Sequence, residues 1–504
     1  MHQISTAIER HPAGALAAFL ALHGAIWTAL PALFFLNLPL DLIEALVYGR
    51  EWQLGYDKLP PLPWWMVEAT YRLFGPDLFY YLLAQVTVVA AFALVWAVAR
   101  PLVGAVGALV AILIIDGLHY FTFTAPKFNH DVVQLPFWAL AGFAYWAALR
   151  RGRTVHWVLL GLGIGIAVWA KYFVVVLALP LALFALFDRD ARKALATPGP
   201  WIAVAVAIVV MSPHLLWLAR NHFVSFAYAD ARALHFHGVL DYLYKPPRFL
   251  LYQVGFLVPS LLIAAPYLRR DSGAPDAAAR SADAFDRRII TLLAFGPALT
   301  VTLISLVTGR DTVAMWGYPL WLFLGLWIVL YARPIGRVTL MRIAFLWGVV
   351  FVCFAAAFAY HYALAPRFFK ERYIATLFPG DRLGQELSRR YRAMTGKPLA
   401  YVIGQMWDGG NVSHYAPERP RVLIDGRLRR APWIDLGDLR ARGAVVVWTD
   451  GSDPHVLPRA YRAIADDAEV QPGFTLPFRL GTGSLPVGWA VLRPRPVVAQ
   501  TPPR

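Results

Sequence analysis

The chain has 504 residues, 59% of them hydrophobic and only 15% charged. Soluble domains lie near about 45–50% apolar and about 25% charged, so this composition excludes an ordinary soluble protein and points to an integral membrane protein. The formal net charge of +16 does not imply a nucleic-acid partner, because the basic residues sit beside apolar runs and in the C-terminal tail; the single cysteine, Cys353, allows no intramolecular disulfide.

The first apolar run, Ala13 to Leu36, is too long for a signal-peptide core and lacks a convincing cleavage site, so it reads as an uncleaved anchor. Together with later runs it predicts eleven spans, at 13–36, 78–99, 101–119, 130–149, 154–170, 172–188, 200–219, 249–268, 288–308, 313–332 and 340–363. The stretch 154–188 is too long for one span and is interrupted at Lys171-Tyr172, so it reads as two helices meeting there. With the N-terminus in the cytoplasm, the cytoplasmic connectors hold Arg100, then Arg150, Arg151 and Arg153, then Arg189, Arg192 and Lys193, then Arg269, Arg270, Arg280, Arg287 and Arg288, then Arg333, Arg337 and Arg342. This is the pattern of the positive-inside rule, and it survives only if Lys171 marks a turn. The opposite side receives the acid-containing loop 37–77, the loop 116–130, Lys171, the histidine-containing loop 220–248 and the turn Gly309-Arg310-Asp311. An odd number of spans places the C-terminus outside.

Residues 1–365 thus read as a polytopic helical membrane domain, and residues 366–504 as a small extracytoplasmic α/β domain. In the latter, Asp381 to Met394 has helical spacing, whereas Leu399–Ile403, Val422–Ile424 and Ala444–Trp448 are short apolar runs of strand type. The end, PRPVVAQTPPR, has the composition of a disordered tail.

Candidate chemistry collects on the outer side, first of all in PLDLIEALVYGREWQLGYDKLPPLPWW at 39–65. Asp41 and Glu44 are three residues apart and share one side of a helix. Asp41 reads either as a general base on a hydroxyl or as the N-cap of a juxtamembrane helix. Tyr56, Asp57 and Lys58 precede prolines that stiffen the backbone, and Lys58 suits either an anionic head group or leaving phosphate, or a surface role. Asn129, His130 and Asp131 cluster before a span, as ligand contacts or as helix caps. Lys171 and Tyr172 break a span pair, where an ionisable residue is a functional candidate. Arg310 reads as a phosphate contact through paired donors or as a local partner of Asp311. His214, His222, His235 and His237 show no ligand spacing, and neither HExxH nor CxxC occurs. GLGIG at 161–165 lies inside a span and reads as helix packing.

These segments resemble the polytopic GT-C glycosyltransferases of the protein O-mannosyltransferase and aminoarabinose transferase type, glycosyltransferase family 39. The matching pattern is Asp41, then Gly55-Tyr56, then KLPPLPWW from Lys58; KFNHDVVQLPFW at 127–138; GIAVWAKYFVVVLALP at 165–180; and GRDTVAMWGYPLW at 309–321. Leu42 and Leu59 stand where many members carry Glu and His. The resemblance implies a GT-C helical membrane fold in a bacterial cytoplasmic membrane. It also implies transfer of a sugar from a polyprenyl-phosphate donor, at the outer face, to an envelope lipid, glycan or protein hydroxyl. Asp41 would be the catalytic carboxylate that activates the acceptor hydroxyl, Lys58 and Arg310 the donor-phosphate contacts, and Asp131 a second loop carboxylate. Glu44, Tyr56, Asn129, His130, Lys171 and Tyr172 are the accompanying substrate contacts. No cofactor is certain from the resemblance, and a divalent cation stays open. A lipid flippase or transporter without covalent chemistry is the competing reading, since broken helices and intramembrane charge fit it too.

Overall fold

Helices account for most of the chain, and the long apolar ones form because a backbone in hydrocarbon must satisfy its own hydrogen bonds. The computed structural model describes residues 2–232, 234–268, 282–332, 336–368, 375–480 and 483–495. Among these, seven helices are long and apolar enough to cross a membrane: Pro12–Phe34, Leu78–Asp116, His130–Arg151, Gly199–Arg220, Val239–Tyr267, Ala284–Thr308 and Arg337–Leu364. Two shorter apolar helices, Thr154–Ala170 and Tyr172–Phe187, flank an extended Lys171 (φ −163°, ψ 135°), so the long run is broken at that residue. Leu78–Asp116 is two helices, divided at Gly104, whose φ of 75° no helical residue adopts. Connector residues Arg269, Arg270, Arg280 and Arg333 and almost all of the proline-rich end lie outside the described residues.

The expected span 313–332 is corrected. A 3-10 turn at Ala314–Gly317 and further turns precede an α-helix of only Leu324–Tyr331. Pro319 has no N–H to donate to the Met315 carbonyl, Tyr318 N donates to Met315 O (3.2 Å), and the Ala314 carbonyl that Tyr318 N would take in an α-helix accepts from Tyr120 Oη (2.6 Å) and Gln253 Nε2 (3.0 Å). Backbone bonds there run three residues back, as in Leu320 N to Gly317 O.

The chain divides into two compact units, 1–31 with 54–63 and 78–358, and 32–53 with 64–77 and 359–504. In the first, glycines let helices approach: a Cβ on Gly161 would lie 2.4 Å from the Ala203 carbonyl, so Thr154–Ala170 packs backbone to backbone on Gly199–Arg220. Buried charge is paired here. His23 Nδ1 lies 2.8 Å from Asp116 Oδ1, and Trp347 Nε1 donates to the other carboxylate oxygen at 2.7 Å. Three spans meet at that contact, which nothing in the local sequence pattern announces.

The second unit holds a five-stranded sheet in the order β2-β1-β3-β5-β4. Strands β1 (Tyr401–Gly404), β2 (Arg421–Ile424) and β3 (Ala444–Trp448) are parallel and almost wholly buried, which is why they read as unbroken apolar runs. Helix Gly380–Thr395 matches the expected 381–394. The antiparallel strands β4 (Glu469–Pro477) and β5 (Ser484–Leu492) were not expected, since β4 is mostly exposed and bulges between Gln471 and Phe474. Two further segments of the unit are short helices from the loop 37–77, Leu40–Gly49 and most of Leu62–Phe74.

Behind β1, Asp408 is buried and accepts from Thr449 N (3.1 Å) and Thr449 Oγ1 (2.7 Å). Burial raises its pKa from 3.8 to about 6, against the pull of the Thr449 hydrogen bonds. The folded unit therefore favours the protonated form; this stabilisation is full below pH 4 and is lost as pH rises through 6. Two pH units correspond to about 3 kcal/mol. In thermal melts of the purified protein, Asp408→Asn should gain stability relative to wild type between pH 4 and 6.5, then run parallel to it. A difference that is constant with pH would contradict the assigned shift.

Candidate functional site

Asp41 lies on the Leu40–Gly49 helix, which forms because Leu42, Ile43, Leu46 and Val47 supply a buried apolar face and extended Pro39 (φ −58°, ψ 156°) starts it. Pro39 is the N-cap, and its carbonyl accepts from Leu42 N and Ile43 N at 3.1 Å. Asp41 is therefore a first-turn residue and not the cap, and the capping alternative gives way. A carboxylate there is favoured by the positive end of the helix dipole. Glu44, one turn on, is buried, and Asp41 is half-buried.

Lys58 belongs to the other compact unit, on an irregular segment whose carbonyls are held by side chains from three helices. Leu54 O accepts from His214 Nδ1 (2.7 Å), Tyr56 O from Ser225 Oγ (2.6 Å), and Pro60 O from His130 Nε2 (3.1 Å). A carbonyl only accepts, so His214 carries its proton on Nδ1 and its Nε2 accepts from Tyr172 Oη at 2.8 Å. Gly55 is required by contact: a Cβ would lie 2.1 Å from the Trp217 ring. Tyr56 is buried, and Lys58 Nζ sits 5.9 Å from the centroid of the Tyr228 ring.

Asn129 caps the His130–Arg151 helix, its side-chain oxygen accepting from Asp131 N (3.0 Å) and Val132 N (3.2 Å). Asp131 Oδ1 accepts from Lys171 Nζ at 2.6 Å and from Gln134 Nε2 at 3.0 Å. With the side chains only 7% and 15% exposed, this is a buried ion pair at the break between two helices. Arg310 pairs with Asp230, on the helix that also carries Ser225 and Tyr228, and not with Asp311, which accepts from Arg248 at 2.9 Å. That pair is exposed and contributes little energy. His214 is buried within a span and does not join His222, His235 and His237 as a ligand cluster. Among the described residues no group of three or more His, Cys, Asp or Glu side chains is placed to hold a metal ion.

The first unit thus connects Tyr56, Asn129, His130, Asp131, Lys171 and Tyr172 around the 54–60 segment, while Asp41 and Glu44 belong to the second unit. Ser225 carried no sequence signal, because a serine in a polar loop is unremarkable until its carbonyl partner is known. Glu51, Glu68, Arg419 and Arg421 escaped for another reason: the pairs Glu51–Arg421 and Glu68–Arg419 join residues 370 and 351 positions apart.

The sequence profile of a family described as dolichyl-phosphate-mannose-protein mannosyltransferase matches residues 58–217. The chain is 31% identical over 177 residues to the lipid A galacturonosyltransferase RgtD of Rhizobium johnstonii, a match covering 34% of this chain and 36% of that protein. It is 24% identical over 503 residues to the lipopolysaccharide core galacturonosyltransferase RgtA of the same organism, covering 95% and 96%. Its fold is similar to that of ArnT from Cupriavidus metallidurans bound to undecaprenyl phosphate, with a TM-score of 0.62, 13% identity and coverage of 97% and 99%. The apo form of that protein gives a TM-score of 0.61, 14% identity and coverage of 95% and 98%.

Within the Asp131–Lys171 pair, neither charge has water to fall back on. Lys171→Met strands a buried carboxylate and should lower stability by about 3–5 kcal/mol, whereas adding Asp131→Asn should recover most of the loss. Unfolding in detergent measures both; losses that simply add would contradict a buried, coupled pair.

Proposed function

We propose a reaction for this chain, which belongs to the GT-C membrane glycosyltransferases of the protein O-mannosyltransferase and aminoarabinose transferase type: an acceptor hydroxyl displaces a polyprenyl phosphate from a sugar, with inversion at the anomeric carbon. Asp41 takes the hydroxyl proton as the new C–O bond forms. The glycosyl–phosphate bond breaks, and the negative charge that grows on the departing phosphate is met by Lys58, with Arg310 as a further cation. Tyr56, Asn129, His130, Asp131, Lys171 and Tyr172 shape the donor side, and Glu44 the acceptor side.

The observation that carries this reading is the Pro39–Trp65 segment itself. It places a first-turn carboxylate on a short helix outside the spans, and, within the same loop, a lysine on a backbone held by three side-chain hydrogen bonds. Such fixed groups favour a transition state because they need no reorganisation. A lipid-linked donor suits a site at the bilayer edge, where each CH₂ of its chain buried between helices contributes about 0.8 kcal/mol. Relatives named for galacturonosyl transfer to lipid A and to lipopolysaccharide core favour a uronic acid sugar and a lipid A or core hydroxyl over a protein hydroxyl. The reaction then belongs to the outer face of the bacterial inner membrane, with the N-terminus cytoplasmic and the sheet unit outside.

Purified protein in lipid discs, given a labelled polyprenyl-phosphate sugar and lipid A, should form a labelled glycolipid. Asp41→Asn should cut the rate by about 10²–10⁴-fold while melting like wild type. Movement of the donor across the bilayer without a covalent product would favour the flippase reading, and unchanged transfer in the variant would remove Asp41 from the reaction.

A further inference from the structure

Within the second compact unit, the Leu40–Gly49 helix is gripped at both ends and along one face by the C-terminal part of the chain. At its entry, Leu36 N donates to Thr376 O (3.1 Å), Asn37 Nδ2 to Ala375 O (3.3 Å) and Leu38 N to Tyr415 Oη (3.1 Å). Along its face it packs on helix Met406–Tyr415 so closely that a Cβ on Gly410 would lie 2.5 Å from Ile43 Cγ2. Tyr48 stacks on Trp64 at 4.3 Å and accepts a hydrogen bond from Arg430 (3.2 Å).

The exit is held by charge. Arg421 forks onto Glu51, with Nη2 to Oε2 at 2.6 Å and Nε to Oε1 at 3.2 Å, and its Nη2 also donates to Trp433 O. Arg419 forks onto Glu68 of the neighbouring Leu62–Phe74 helix at 2.5 and 3.1 Å, and its carbonyl accepts from Arg50. Glu68 is wholly buried and Glu51 nearly so, 8% exposed. Arg419 holds a φ of 52°, a left-handed conformation that a non-glycine residue keeps only where its surroundings impose it. The anchoring arginines are 350 or more residues distant from their carboxylates. Paired forks of this kind fix direction as well as distance, which a lysine would not.

We propose that Arg421 and Glu51 are positioning residues: through them the C-terminal sheet unit sets the orientation of the helix that carries Asp41. The sheet unit is then a working part of the catalytic apparatus, neither a passive appendage nor only a surface for the acceptor. This rests on the reading of Asp41 as the base. Misplacing a catalytic group by about 1 Å costs on the order of 100-fold in rate, so loosening the exit of a ten-residue helix acts on turnover before it acts on donor binding.

The test compares Glu51→Gln, Arg421→Met and the double variant in the full-length protein, by hydrogen exchange and by kinetics. Either single change should speed amide exchange in residues 42–49 while leaving β3 protected. Turnover should fall on the order of 10–100-fold, with the donor KM within about 2-fold of wild type. The double variant should be no worse than the more severe single one, because each already breaks the same pair. Unchanged exchange in 42–49, additive losses, or exchange that rises equally in β3 would each overturn the proposal, the last because the effect would then be general unfolding. A wild-type protein that forms no glycoside counts against the transfer reading alone, since the exchange arm decides the positioning without turnover.

Discussion

Charge withdrawn from water at a membrane edge is stable only with a partner, and this constraint organises the molecule. Asp131 with Lys171 joins one helix start to the break between two others, and His23 with Asp116 and Trp347 joins three spans. Glu51 with Arg421 and Glu68 with Arg419 tie residues of the loop 37–77 to the sheet within the second unit. Removing one member of such a pair leaves its partner buried and uncompensated, so each pair acts as a staple for the elements that carry it. Glu51 in turn holds the Arg421 guanidinium above its ordinary pKa, whereas burial and neighbouring Arg419 pull that of Arg50 down.

The loop 37–77 is divided between the two compact units. Residues 32–53 pack with the sheet unit, and residues 54–63 pack with the helical unit. Asp41 is oriented by helix packing, a fork of arginine donors and hydrogen bonds at the helix entry. Lys58 is oriented by carbonyls anchored on His214, Ser225 and His130. One short stretch of chain thus presents an acid and a cation, each supported by different side chains. A loop supported only by its own turns would not hold either group for an electrostatic role.

Much of this architecture is legible in the residues. The spans announce themselves by length and apolarity, and the break at Lys171 follows from a run too long for one helix. The three parallel strands show as short apolar runs because both of their faces are covered. Legibility fails where tertiary contacts override local pattern. Ala314 to Phe323 is apolar enough for a helix, yet Tyr120 and Gln253 take the carbonyl that a helix would need. Strand β4 is bulged and mostly exposed, so its alternation is blurred. At the candidate site, Asp41, Lys58, Asp131 and Lys171 stand out as charges in apolar company. The groups that hold them, Ser225, Arg419 and Arg421, are ordinary polar residues until the fold brings them to their partners.

At the centre of the proposed function stands a single displacement at the anomeric carbon, with a protein carboxylate as base and a lipid phosphate as leaving group. The most direct measurement is the anomeric configuration of the transferred sugar, read by NMR from product made with a donor of known configuration. The account predicts the opposite configuration in the glycolipid and one polyprenyl phosphate released per sugar transferred. A retained configuration would contradict it, because retention requires a covalent glycosyl-enzyme intermediate or a different order of bond making and breaking.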